Sequence, residues 1–183
     1  MPAPPPPPLP GWLLRLDRAA GAVTQGLNVA GTLLIVALAV LVNADVIGRN
    51  AFSAPVSGVP EMVSLSIVAI VFLQVAEAAR RGRFIRADAI PTLLAARVPR
   101  LAAALEALWH AAALALIWVL TAASWPLLVR AWERQTFVGA VGDFIAPTWP
   151  VRLIIVVGCT ALMAQFALGL MRALHRLTAR PRP

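Results

Sequence analysis

Four stretches of the 183-residue chain contain no charged side chain: 19–44, 62–76, 107–129 and 153–171. Backbone buried in hydrocarbon has no water to bond, so each stretch must satisfy its own N–H and C=O groups by forming a helix. A bilayer crossing takes about 20 residues at about 1.5 Å of rise each. Three of the runs reach or approach that length unaided, but 62–76 does not. Its span must therefore take in Glu61, Glu77 or both. A carboxylate at a helix end reaches the headgroups at little cost, whereas one further in needs a partner or a proton.

This pattern predicts an all-α integral membrane protein with four transmembrane helices, over about 23–43, 59–79, 106–129 and 152–172. They form one membrane domain, 12–183, behind a proline-rich tail, 1–11, expected to be disordered. A hydrophobic content of 60% and a mean hydropathy of +0.81 agree with a bilayer environment. The net charge of +8 comes from arginine alone, in groups between the apolar runs, which speaks against a nucleic-acid surface. Cys159 stands alone in an apolar run, with no second cysteine for a disulfide.

The arginines also predict orientation. Twelve fall before the first span, between the second and third, and after the fourth; four fall in the other two connections. The arginine-rich side stays inside, so both termini are expected in the cytoplasm. The basic start, the apolar run and the residues before Asp45 also mimic a secretory signal. The length of that run and the three spans after it favour an uncleaved helix.

Local spacing adds detail. Ala22, Gly26 and Ala30 recur every four positions, which lets a neighbouring helix approach closely. Asp45 and Arg49 stand four apart with the acid first, the better order for a helical ion pair. Gly58 and Pro60 mark a turn, and Glu61 after the proline suits a helix start. Glu77 can pair along its helix with Arg80 or Arg81. Between the second and third spans, Pro91 either opens a short interfacial helix on the cytoplasmic side or sits in a plain basic loop. Trp118, Trp125 and Trp132 share one face if the third helix persists past Pro126.

Chemistry is sparse. His110 and His175 lie at different depths, unlike a haem-holding pair, and no serine stands in a recognisable nucleophile context. There is no glycine-lysine phosphate loop and no charge at the centre of a span. No cofactor, metal, catalytic or substrate-binding residue is assigned, and the chain is not expected to be an enzyme. The pattern suits a partner subunit. An autonomous proton-coupled exporter titrating Glu61, and a membrane anchor of a redox complex, stay open as alternatives.

From Arg49 the chain reads through Phe52, Pro55 and Glu61 into a span with Phe72 and Leu73, then exits through Arg81, Gly82, Ile85 and Asp88. This order resembles the signature region of the small, DctQ-type membrane subunit of tripartite ATP-independent periplasmic (TRAP) transporters. Phe84 stands where relatives usually have a histidine. A second resemblance runs from Pro147 to Gly158, with Gln165 after it. The resemblance implies a subunit that braces a large DctM-type membrane subunit, with a periplasmic binding protein delivering an organic anion. Uptake would be driven by an ion gradient, with sodium as the coupling ion, across a bacterial inner membrane. It further implies that Arg49, Glu61 and Asp88 shape the turn or meet another subunit.

Overall fold

The computed structural model describes residues 10–82, 99–139 and 144–178, and within them the chain is four long helices. They are α1 (Gly11–Phe52), α2 (Val59–Arg80), α3 (Pro99–Glu133) and α4 (Trp149–Thr178). Each contains a window long and apolar enough to cross a membrane. The all-α membrane fold expected from the uncharged runs is the fold observed. The proposed interfacial helix after Pro91 lies outside the described residues, as does Asp88.

The helices overrun the predicted spans. At 22 residues, α2 is about 33 Å long, close to the thickness of the hydrocarbon core. By the same rise α1, with 42 residues, is about 63 Å and must project beyond it. The projection is not idle, because Leu13, near the start of α1, is only 2% exposed. In α3 the helix runs through Pro126 to Glu133. Trp118, Trp125 and Trp132 accordingly share its outer side, each more than half exposed.

Of the four, α4 is the hub: it packs most extensively on α3, then on α2, and lightly on α1, which itself lies against α2. Small residues in α4 make this possible. A Cβ at Gly158 would collide with the backbone carbonyl of Phe72, so this glycine sets how closely α4 approaches α2. Ala76, Leu162 and Phe166 form the buried core where α2 and α4 meet, with Leu114 and Ile117 of α3 packed against it.

The approach face of α1 differs from the one its small-residue repeat suggested. Ala22, Gly26 and Ala30 are exposed, and the buried positions alongside them are Gly21, Thr24 and Gly31. At Gly31 a Cβ would stand 2.8 Å from Gln74 Cγ of α2. The face that wins carries Thr24, whose hydroxyl has a buried partner to reach. Alanines with no such partner face outward.

The α3–α4 connection holds a feature that the sequence reading did not contain. Phe137–Val138 pairs antiparallel with Ala146–Pro147. Thr148 N–H donates to the Thr136 carbonyl at 3.0 Å, and the two threonine hydroxyls lie 2.6 Å apart. Trp132 and Trp149 meet edge to face at 4.9 Å beside this pairing.

Candidate functional site

Polar contacts concentrate at the two ends of the bundle. At the arginine-rich end, the last turns of α2 bring Glu77 inward and Arg80 and Arg81 around it. Positions three and four apart share a helix face, so all three side chains converge from sequence spacing alone. Arg80 forms a two-pronged contact, Nε to Oε2 and Nη2 to Oε1, both at 2.7 Å. Arg81 Nε adds a bond to Oε1 at 2.6 Å. From α1, Thr24 Oγ1 donates to Oε2 at 2.7 Å. Gly21 leaves α1 open beside the Arg80 guanidinium.

Glu77 is 1% exposed. A carboxylate removed from water this completely is tolerated only when its lone pairs are met. Four donors on two oxygens meet them, and they also leave little capacity for a substrate or for proton transfer. This group is therefore a structural anion that ties α1 to α2. The expectation that the second span exits through an acid paired with Arg80 or Arg81 is met by both arginines, with Thr24 as a partner from another helix.

Two further pairs link helices at the same end. Arg172 of α4 bonds Asp17 of α1, and Arg176 Nη1 of α4 donates to Glu106 Oε2 of α3 at 2.9 Å. His110 of α3 is buried, its ring 6.0 Å from that of Phe166 and packed over Gly169, where any side chain would strike the imidazole. Gln165 of α4 is 7% exposed nearby.

At the opposite end, the α1–α2 turn is closed by Asp45. This residue is 7% exposed and accepts both Arg49 Nε and the Val56 N–H at 2.9 Å. The Asp45–Arg49 pair expected from spacing is therefore present, and its carboxylate also holds the turn's backbone. Ser53 caps α1 in a left-handed conformation, and Ala54 N–H returns to the Gly48 carbonyl. Gly58 precedes α2 with φ +77°, and any Cβ there would overlap the Phe144 ring from the α3–α4 connection. The two connections at this end are thus locked together by a glycine and an aromatic.

The structure places the sequence-derived candidates as follows. Arg49 pairs with Asp45. Glu61 sits in the first turn of α2, where exposed amides favour an acid, and makes no ion pair among the described residues. Arg49 and Glu61 are thus not joined by an ion pair, and Asp88 lies outside the described residues. Sequence reasoning missed Thr24, Asp17 and Glu106 as members of polar contacts. Their only sequence signal is a polar residue near the end of an apolar run, which does not say toward which helix it points.

No group of three or more histidine, cysteine or acidic residues that could hold a metal occurs among the described residues. Cys159 is buried in α4 as a free thiol. Four membrane-length helices, with buried charge among the described residues only at the two ends, define a multi-pass membrane protein whose polar residues brace helices and turns. The family model described as tripartite ATP-independent periplasmic transporters, DctQ component, matches residues 38–176, and the chain belongs to that family. No curated protein and no solved structure matches it. The chain is therefore a small-subunit component of a TRAP transporter, a family of transporter components.

Proposed function

We propose that this subunit braces a large DctM-type membrane subunit while that subunit imports an organic anion delivered by a periplasmic binding protein. The import is driven by an ion gradient, with sodium as the coupling ion. The site is a bacterial inner membrane, with both termini and the arginine-rich end in the cytoplasm. One observation carries the reading: every charged residue described lies toward a helix end or in a connection, and none interrupts the middle of a span. An anion crossing hydrocarbon needs donors or half-helix ends at depth to replace its water. A chain without them suits a bracing role.

The outer sides of α1 and α3 support the same role. Leu33, Val36 and Val40 of α1, and Leu116, Trp118 and Val119 of α3, are all more than half exposed. Surfaces of this kind pack against lipid or another helix-rich subunit with no loss of hydrogen bonds. Arg49 and Glu61 belong to the turn proposed to meet the large subunit or the binding protein, and Asp88 is assigned to the same contact role on resemblance alone.

The test has two arms. The purified chain reconstituted by itself should show no ion-driven uptake, and uptake should appear when the large subunit and binding protein are added. Robust counterflow from the pure chain overturns the bracing role and favours an exporter. Reporter fusions at Arg180 and Gly139 should report the cytoplasmic and periplasmic sides respectively, and the reverse result overturns the orientation.

A further inference from the structure

At the arginine-rich end, α2, α3 and α4 enclose a pocket of about 220 Å³ that the bracing role does not use. Its polar lining is Arg80, Arg172, Arg176, Glu106, His110 and Gln165. Three cations face it against one acid. Each of the three has an acidic partner, Arg80 and Arg172 in Glu77 and Asp17 just outside the pocket and Arg176 in Glu106 of its lining. Yet a guanidinium carries five N–H donors. Arg172 and Arg176 each make one bond to a described residue through a single terminal nitrogen. The donors they have left are set in a fork, the geometry that suits a phosphate.

A second observation, independent of the arginines, marks the same place. The Gln165 amide lines the pocket at 7% exposure, and its Nε2 has no hydrogen-bond partner among the described residues. A buried NH₂ left without an acceptor is costly, and the sequence has alanine or leucine at most neighbouring positions of this helix. A donor retained at that cost points to an acceptor from outside the chain.

We propose that this pocket binds a phosphate group, and that its source is the headgroup of an anionic phospholipid. Arg172 and Arg176 hold the phosphate oxygens from the rim, and Gln165 donates to one from the floor. The level of the pocket fits. It lies where three spans emerge among their terminal arginines, which is the depth of the headgroups. The acyl chains then lie outside, along the apolar helix faces. An anionic headgroup is favoured over a zwitterionic one because the second group of a zwitterion would bring a further cation among three guanidiniums that face the pocket against one carboxylate.

The test is thermal unfolding of the full-length protein in a neutral detergent, titrated with dioctanoyl phosphatidylglycerol, dioctanoyl phosphatidylcholine or inorganic phosphate. Phosphatidylglycerol should raise the unfolding midpoint saturably, well beyond the effect of phosphatidylcholine. Gln165→Leu and Arg176→Gln should each weaken that response by about tenfold or more, the loss of a hydrogen bond to a charged group. Gln165→Leu should also raise the midpoint of the lipid-free protein by removing an unsatisfied donor, which keeps the result readable if Arg176→Gln folds poorly. Saturation by inorganic phosphate at the same residues, with no added effect of phosphatidylglycerol, overturns the lipid source and assigns the site to soluble phosphate. Equal responses to both lipids, or wild-type affinity in Gln165→Leu, overturn the site altogether and leave a pocket that holds water.

Discussion

The Thr24 hydroxyl donates to Glu77 Oε2 at 2.7 Å, joining α1 to a carboxylate that α2 surrounds with its own Arg80 and Arg81. Removing a partner from a buried ion pair leaves an uncompensated charge and costs about 3 to 5 kcal/mol. Here Arg80 and Arg81 are partly exposed and can turn toward water, so Glu77→Ala should cost about 3 kcal/mol, the lower end. Thr24→Val keeps the shape and loses one bond to a charged acceptor, about 1.5 kcal/mol. In Thr24→Val/Glu77→Ala the two losses should be less than additive. Denaturation in mixed micelles measures all three, and full additivity would show that the bond contributes nothing.

The turn at the other end depends on Asp45. Because Asp45 holds both Arg49 and the Val56 N–H, Asp45→Ala should loosen residues 53–58 more than Arg49→Ala does. Arg49 is about half exposed, so its own pair contributes at most about 1 kcal/mol. Arg49→Ala and Glu61→Ala should act independently, since no ion pair joins them. Hydrogen exchange at Val56 reads the first comparison and uptake by the assembled transporter reads the second. Matching, non-additive defects for Arg49→Ala and Glu61→Ala would show that the two act as a unit in the assembly.

Gly58 is asked for two things at once, a left-handed backbone and room for Phe144. Gly58→Ala should destabilise by about 1 kcal/mol from the backbone and further from the overlap with the ring. Adding Phe144→Ala should return the second part and not the first. If the double variant is no more stable than Gly58→Ala, the ring is not what the new methyl meets.

At Gly158 the neighbour is rigid. Its Cβ would meet the Phe72 carbonyl, which cannot rotate away as a side chain can. Gly158→Val should therefore force α4 and α2 apart and cost about 2 to 3 kcal/mol, in the range of overpacked cores. Gly26→Val, which has open space around it, should be close to neutral. Thermal midpoints in detergent separate the two, and equal shifts would remove Gly158 as the spacer of this helix pair.

The four spans, the ion pair of Asp45 with Arg49, and the ring of arginines around Glu77 were legible in the sequence. They follow from hydropathy and from positions three or four apart on one helix, where the chain itself supplies the geometry. The order of the helices around α4, the choice of Gly21, Thr24 and Gly31 over the alanine face of α1, and the seat of Phe144 on Gly58 were not. Neither were the pairs Asp17 with Arg172 and Glu106 with Arg176. In hydrocarbon every apolar face is equally at ease with lipid, so hydropathy cannot rank one helix face above another. Close backbone approach and the pairing of polar groups across helices break that tie, and both exist only once the helices are packed.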